Sequence, residues 1–158
     1  MTKKFQVWKP LNLKTPHNVL MKNLQGGGFR ATEEVLKILT KPEFVSITPL
    51  PAKVNLVRLS VVDLGFTQLT PLREIYERAM KFGLSLCHPK VGPLLRLEYP
   101  DQPKGRRLRV AMNAILDSTG IPRIFCIEHQ ENGGKWIKTS PGDLDECWSP
   151  NSCFVFIP

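Results

Sequence analysis

Five cations gather between residues 96 and 109: Arg96, Lys104, Arg106, Arg107 and Arg109. Guanidinium and ammonium groups at this density suit contact with phosphates, since each neutralised phosphate releases condensed counterions. Trp8 stands among Lys3, Lys4 and Lys9, and Trp136 stands between Lys135 and Lys138. Aromatic rings interleaved with cations add base stacking to charge neutralisation. Arg96, Lys104, Arg106, Arg107 and Arg109 are therefore the expected phosphate contacts of a nucleic-acid-binding or accessory module, with Trp8 and Lys9 in support. Glu98 interrupts the cluster. The alternative is a protein-interaction or regulatory module, because an arginine face meeting an acidic protein has the same composition.

Other residue types with chemical potential carry weaker patterns. Cys87-His88 places a thiol next to an imidazole, but neighbours in sequence rarely point at one another, and a buried free cysteine is the commoner case. Cys126, His129, Cys147 and Cys153 supply four zinc-ligand types. Cys126 and His129 differ by an odd number along an expected strand, however, and so face opposite sides. Asp101 with Glu128-His129-Gln130 echoes a magnesium nuclease core, in which Gln130 stands where a lysine would supply charge. Gly26-Gly27-Gly28 beside Arg30 resembles an anion cradle, without the spacing of a phosphate loop. No catalytic residue, metal or cofactor is expected, and a small hydrolase or nuclease is the third reading.

These residues need a scaffold. Phe5–Trp8 alternates as a short strand. Thr15-Pro16 opens a helix that Gly26 closes, and Thr32–Leu39 forms a second helix ended by Pro42, the two making a helical hairpin. Val54–Val62 is rich in branched residues and predicts a buried strand, broken by Gly65. Thr70 caps, Pro71 opens and Gly83 stops an amphipathic helix with Leu72, Ile75, Tyr76, Ala79 and Met80 on one stripe. Leu94–Tyr99 and Arg107–Met112 alternate as a hairpin, which would put Arg96, Glu98, Arg107 and Arg109 on one outer face. Ile121–Glu128 and Lys135–Thr139 form a hairpin around Asn132-Gly133-Gly134, and Cys153–Ile157 is a final strand. The fold class is α+β: one domain spanning 1–158, with a helical hairpin and a mainly antiparallel sheet carrying one amphipathic helix. Prolines mark a weak internal boundary near 41–53.

Length and charge agree. The chain has 158 residues, 42% hydrophobic and 23% charged, enough for one domain with its own core. Lys plus Arg total 22 against 14 Asp plus Glu, a net charge of +8 that favours anionic partners. No apolar run is long enough to span a bilayer, so no membrane association is expected. The start lacks a secretory pattern, so the four cysteines are expected reduced in the cytoplasm.

From Val61 onward, and in Lys4-Phe5 with Val7-Trp8-Lys9, the chain resembles a group of uncharacterised bacterial proteins of similar length, occasionally labelled helicase. The residues that carry the resemblance include Leu64-Gly65-Phe66, Ile75-Tyr76, Arg78-Ala79, Gly83-Leu84 and Leu86-Cys87. Val91-Gly92-Pro93, Leu95-Arg96-Leu97 with Tyr99, Asp101-Gln102-Pro103 and Phe154-Val155-Phe156 complete it. It is densest between Leu64 and Gly105. The resemblance implies a single compact unit and brings no activity, cofactor or site residue. The helicase label does not fit, since there is no Gly-x-x-x-x-Gly-Lys-Ser/Thr loop and too little chain for two motor lobes.

Overall fold

A computed structural model describes residues 4–45 and 50–158. In chain order the elements are β1 (Lys9–Asn12), α1 (His17–Gly26), β2 (Arg30–Ala31), α2 (Glu33–Leu39), α3 (Pro42–Val45), β3 (Lys53–Ser60) and a short 3-10 helix (Val61–Leu64). They continue with β4 (Thr70–Pro71), α4 (Leu72–Lys81), α5 (Val91–Glu98), β5 (Arg106–Val110) and β6 (Ile115–Leu116). β7 (Pro122–His129), β8 (Lys135–Pro141), β9 (Cys147–Trp148) and β10 (Cys153–Phe156) complete them. An eight-stranded sheet runs in the order β1-β3-β10-β5-β7-β8-β2, with β6 on β7. β10 lies parallel to β5 and β2 parallel to β8, while the other pairs in this sheet are antiparallel. The architecture is α+β, with a mixed and mostly antiparallel sheet. Within the described residues no helix is long and apolar enough to cross a membrane.

Side chains alternate between the two faces of this sheet. On one face lie Leu108, Val110, Phe125, Ile127 and Ile137, all buried. The helix α5 packs there against β7 and β8, and α2 packs against β8. On the other face, Phe154 and Phe156 meet Trp148 and Tyr76, bringing α4 onto the β10 side. Four of the five residues expected on the α4 stripe, Leu72, Ile75, Tyr76 and Ala79, are buried, but Met80 is 51% exposed and lies off it. The Tyr76 hydroxyl accepts from the Met112 amide and donates to its carbonyl, both at 3.1 Å, which seats the helix on the chain leaving β5. Buried apolar residues from Leu11 to Phe156 form one cluster. The boundary expected near 41–53 includes residues 46–49, which lie outside the described residues.

Local chemistry explains most boundaries. The Thr32 hydroxyl accepts from the Val35 amide at 3.3 Å and starts α2, as its position suggests. Gly133, at φ +96°, turns β7 into β8, and the Gln130 amide donates to the Gly134 carbonyl at 2.8 Å. Two starts differ from expectation. The first strand is Lys9–Asn12 rather than Phe5–Trp8, and it tolerates Pro10 because β1 is an edge. Thr70 does not cap α4; it pairs with Trp148 in the β4–β9 ladder, and Pro71 takes the cap position.

The largest correction concerns Leu94–Tyr99. It is no strand: Val91–Glu98 is the helix α5. Alternation of Leu95, Leu97 and Tyr99 satisfies a period of two, but Val91, Leu94 and Leu95 satisfy the helical period equally. Pro93 falls in the first turn, where its missing N–H has no intrahelical partner to lose. Gly92 lets the helix lie directly on Phe125. Arg96 consequently points into the protein and is 0% exposed, so it shares no outer face with Arg107 and Arg109.

Candidate nucleic-acid interface

The loop leaving α5 is held by two buried polar side chains. Arg96 donates from one terminal nitrogen to Gln102 Oε1 at 2.6 Å, and to the Glu128 and Trp136 carbonyls at 3.3 Å. Its other terminal nitrogen donates to the Tyr99 carbonyl at 2.6 Å. Gln102, 2% exposed, donates in turn to the carbonyls of Ile127 at 3.1 Å and Arg106 at 3.2 Å. The Gly105 amide donates to the His129 carbonyl at 2.7 Å, and His129 Nδ1 donates to the Gln102 carbonyl. Burial pushes the Arg96 pKa down to about 10, so it remains a cation at neutral pH. Arg96 thus fixes the 99–106 loop instead of meeting solvent.

That loop forms one wall of a cleft of about 330 Å³. Tyr99, Gln102 and Pro103 line it from the loop, Arg106, Arg107 and Leu108 from β5, and Arg58 and Cys153 from β3 and β10. Arg58 and Arg106 are exposed, and neither forms an ion pair among the described residues. The Arg58 guanidinium lies 4.6 Å from the centre of the Trp8 ring and donates to the Tyr99 hydroxyl at 3.2 Å. Trp8 meets Tyr99 edge-on at 5.0 Å. Gln6, Val7 and Trp8 border a second opening on the other side of Arg58. A cation over an indole and bonded to a phenol is attracted by the ring face, and an exposed guanidinium of this kind is suited to contact an anion.

The expected site residues separate into distinct roles. Arg106 lines the cleft and is exposed, and Lys104 is exposed on the loop next to Pro103, which also lines it. Arg107 also reaches it, but its Nε donates to Glu128 Oε2. Glu128, with its side chain 8% exposed, is further held by Lys138 at 3.0 Å and by Gln130 at 3.2 Å. Burial alone would raise the pKa of this carboxyl; the donors from Lys138, Arg107 and Gln130 outweigh burial and hold it below the usual range. Arg109 is half-buried with its guanidinium 4.9 Å from the Trp148 ring centre. The ammonium of Lys9 donates to the Glu98 carbonyl at 2.7 Å, meeting the last turn of α5 as a C-terminal cation does. Of the two supporting residues, Trp8 borders the second opening beside Arg58, and Lys9 braces the end of α5. Lys3, counted with the cations around Trp8, lies outside the described residues. Arg58 and Tyr99 escaped the sequence reading. Their only signals were a cation among the branched residues of a strand and a tyrosine on an expected hairpin.

The remaining chemical candidates stay apart. Among the described residues no three His, Cys, Asp or Glu side chains gather as metal ligands. Cys126 is buried and Cys147 exposed. Gly26-Gly27-Gly28 follows the C-terminal end of α1, where the helix dipole repels anions rather than attracting them. Cys87 is 4% exposed and its thiol donates to the Val155 carbonyl at 3.4 Å. Burial pushes its pKa far up, which suppresses the nucleophilic thiolate. Iodoacetamide at neutral pH is therefore expected to alkylate Cys147 in the native protein and to spare Cys87 until denaturant is added. Peptide mass mapping of both cysteines checks this, and early loss of the Cys87 thiol would contradict its inert burial.

No family model, curated protein or solved structure matches the chain.

Proposed function

We propose that the chain is a non-catalytic cytoplasmic binding or accessory module whose cleft between β3, β5 and the 99–106 loop takes the phosphates of a nucleic acid. The reading rests on one observation: Arg58 and Arg106, from strands separated by β10, converge on a single open cleft while carrying no ion pair among the described residues. Lys104 extends the positive rim, and Arg107 contributes the part of its charge that Glu128 leaves unneutralised. Trp8 and Tyr99 supply ring surface beside the cations. The net charge of +8 steers a polyanion towards the protein from a distance.

The test is fluorescence anisotropy at about 50 mM salt, where phosphate contacts are little screened, with a mixed set of labelled DNA and RNA. Wild-type protein should bind and weaken steeply as salt rises. The Arg58→Glu/Arg106→Glu double variant should lose at least about tenfold in affinity, and its salt slope should fall by about 0.7–0.9 for each lost phosphate contact. Both residues are exposed, so circular dichroism should show the variant folded. Absence of binding to every nucleic acid, or a double variant that binds like wild type, would remove the proposal. Polyglutamate competing as well as nucleic acid would replace it with the acidic-partner module.

A further inference from the structure

Arg106 and Arg107 are successive residues of β5 and therefore face opposite sides of the sheet. Arg106 looks towards the cleft with Arg58. Arg107 begins a second basic row on the face away from α5. There Arg107 pairs in register with Glu128, Glu128 with Trp136, and Trp136 with Arg30. The adjacent row is Arg109, Cys126 and Lys138. Directly opposed residues share a face, so Arg30, Arg107, Arg109 and Lys138 stand over a surface whose buried carboxylate is Glu128. The Trp136 ring has Arg30 at 5.8 Å and Lys138 at 5.3 Å. The Nε of Arg109 and the indole N–H of Trp136 are buried beneath this face and have no acceptor among the described residues. This face presents exposed and half-exposed cations beside an aromatic ring, and a polyanion is the complementary partner.

We infer that the nucleic acid is a single strand, which crosses the rim at Lys104–Arg107 and lies on both faces of the sheet. The inference rests on the cleft reading above and goes beyond it. A duplex is stiff over a persistence length of about 150 base pairs and can follow only one face of so small a protein. A single strand can turn at the rim, set phosphates against Arg58 and Arg106 on one side, and continue over Arg107, Arg109 and Lys138 on the other. Five strand spacings separate Arg58 on β3 from Arg30 on β2, roughly 24 Å at about 4.8 Å each. That length holds about seven phosphates at the ~3.4 Å spacing of a stacked strand.

The experiment compares labelled (dT)20 and (U)20 with a 20-base-pair duplex, using wild-type protein, Arg58→Glu and the Arg30→Glu/Lys138→Glu variant. Tighter binding of either single strand than of the duplex by about tenfold or more supports the inference, provided each variant weakens that binding by about fivefold or more. Lys138 helps to hold Glu128, so Arg30→Glu alone provides a second reading should the double variant lose its fold. Duplex bound as tightly as both single strands would overturn the inference while leaving the cleft in place. So would a folded Arg30→Glu variant that binds single strands like wild type. Binding of none of the probes would remove both the inference and the cleft reading.

Discussion

Replacing Arg96 with methionine is expected to lower the unfolding free energy by about 3 kcal/mol, far more than any exposed arginine. Two effects oppose each other. Methionine relieves the desolvation of a guanidinium that, among the described residues, has no carboxylate beside it and whose Nε lacks a partner. It also orphans Gln102 Oε1 and the Tyr99 carbonyl, each bonded at 2.6 Å, and weakens the surroundings of the Glu128 and Trp136 carbonyls. Each buried acceptor left unpaired costs about 1–3 kcal/mol. Gln102 cannot turn its carbonyl to water, because its amide is already tied to Arg106 and Ile127. The orphaning therefore wins. Arg106→Met, on the exposed rim, should stay within about 0.5 kcal/mol of wild type. Urea unfolding of the two variants measures the contrast. An Arg96→Met protein as stable as Arg106→Met would show that the guanidinium does not hold the loop.

The same residue shows where the sequence was legible and where it was not. The β7–β8 hairpin could be read because Asn132-Gly133-Gly134 demands a turn and both flanks alternate apolar and polar. The helix α4 could be read because Leu72, Ile75, Tyr76 and Ala79 repeat only with a helical period. Around Arg96, local pattern failed. Leu94, Leu95 and Leu97 fit either period, and the choice was made by tertiary contact with Phe125 through Gly92. The error then spread to the site. A strand over 94–99 implies Arg96 in solvent and Tyr99 on a hairpin, and the helix reverses both. Arg58 was not legible for another reason: it shares the cleft with Arg106 only because β10 pairs with both β3 and β5, long-range pairings that no local signal encodes. Lys104, Arg106 and Arg107 are exposed, as expected, because the exposure of a short, cation-rich loop depends little on topology.

Gly92→Ala is expected to destabilise the protein by about 2 kcal/mol, although alanine is the better helix former by about 0.8–1 kcal/mol. A methyl group at Gly92 would stand 2.6 Å from Phe125 Cδ2, 2.7 Å from its Cβ and 2.8 Å from its Cγ. The Cβ cannot swing away, since it is fixed to β7, and the Phe125 ring is 1% exposed with Phe44 packed against it at 6.1 Å. The helix must therefore move off the sheet. Such a displacement would carry Arg96 and the start of the 99–106 loop with it, and so would reach the cleft. The expected result is a lower urea midpoint together with weaker nucleic-acid binding at temperatures where the variant is still folded. Phe125→Leu in the same background removes part of the opposing ring and should restore some of both. A Gly92→Ala protein at least as stable as wild type would mean that α5 does not approach β7 this closely, and the placement of Arg96 beneath the cleft would fall with it.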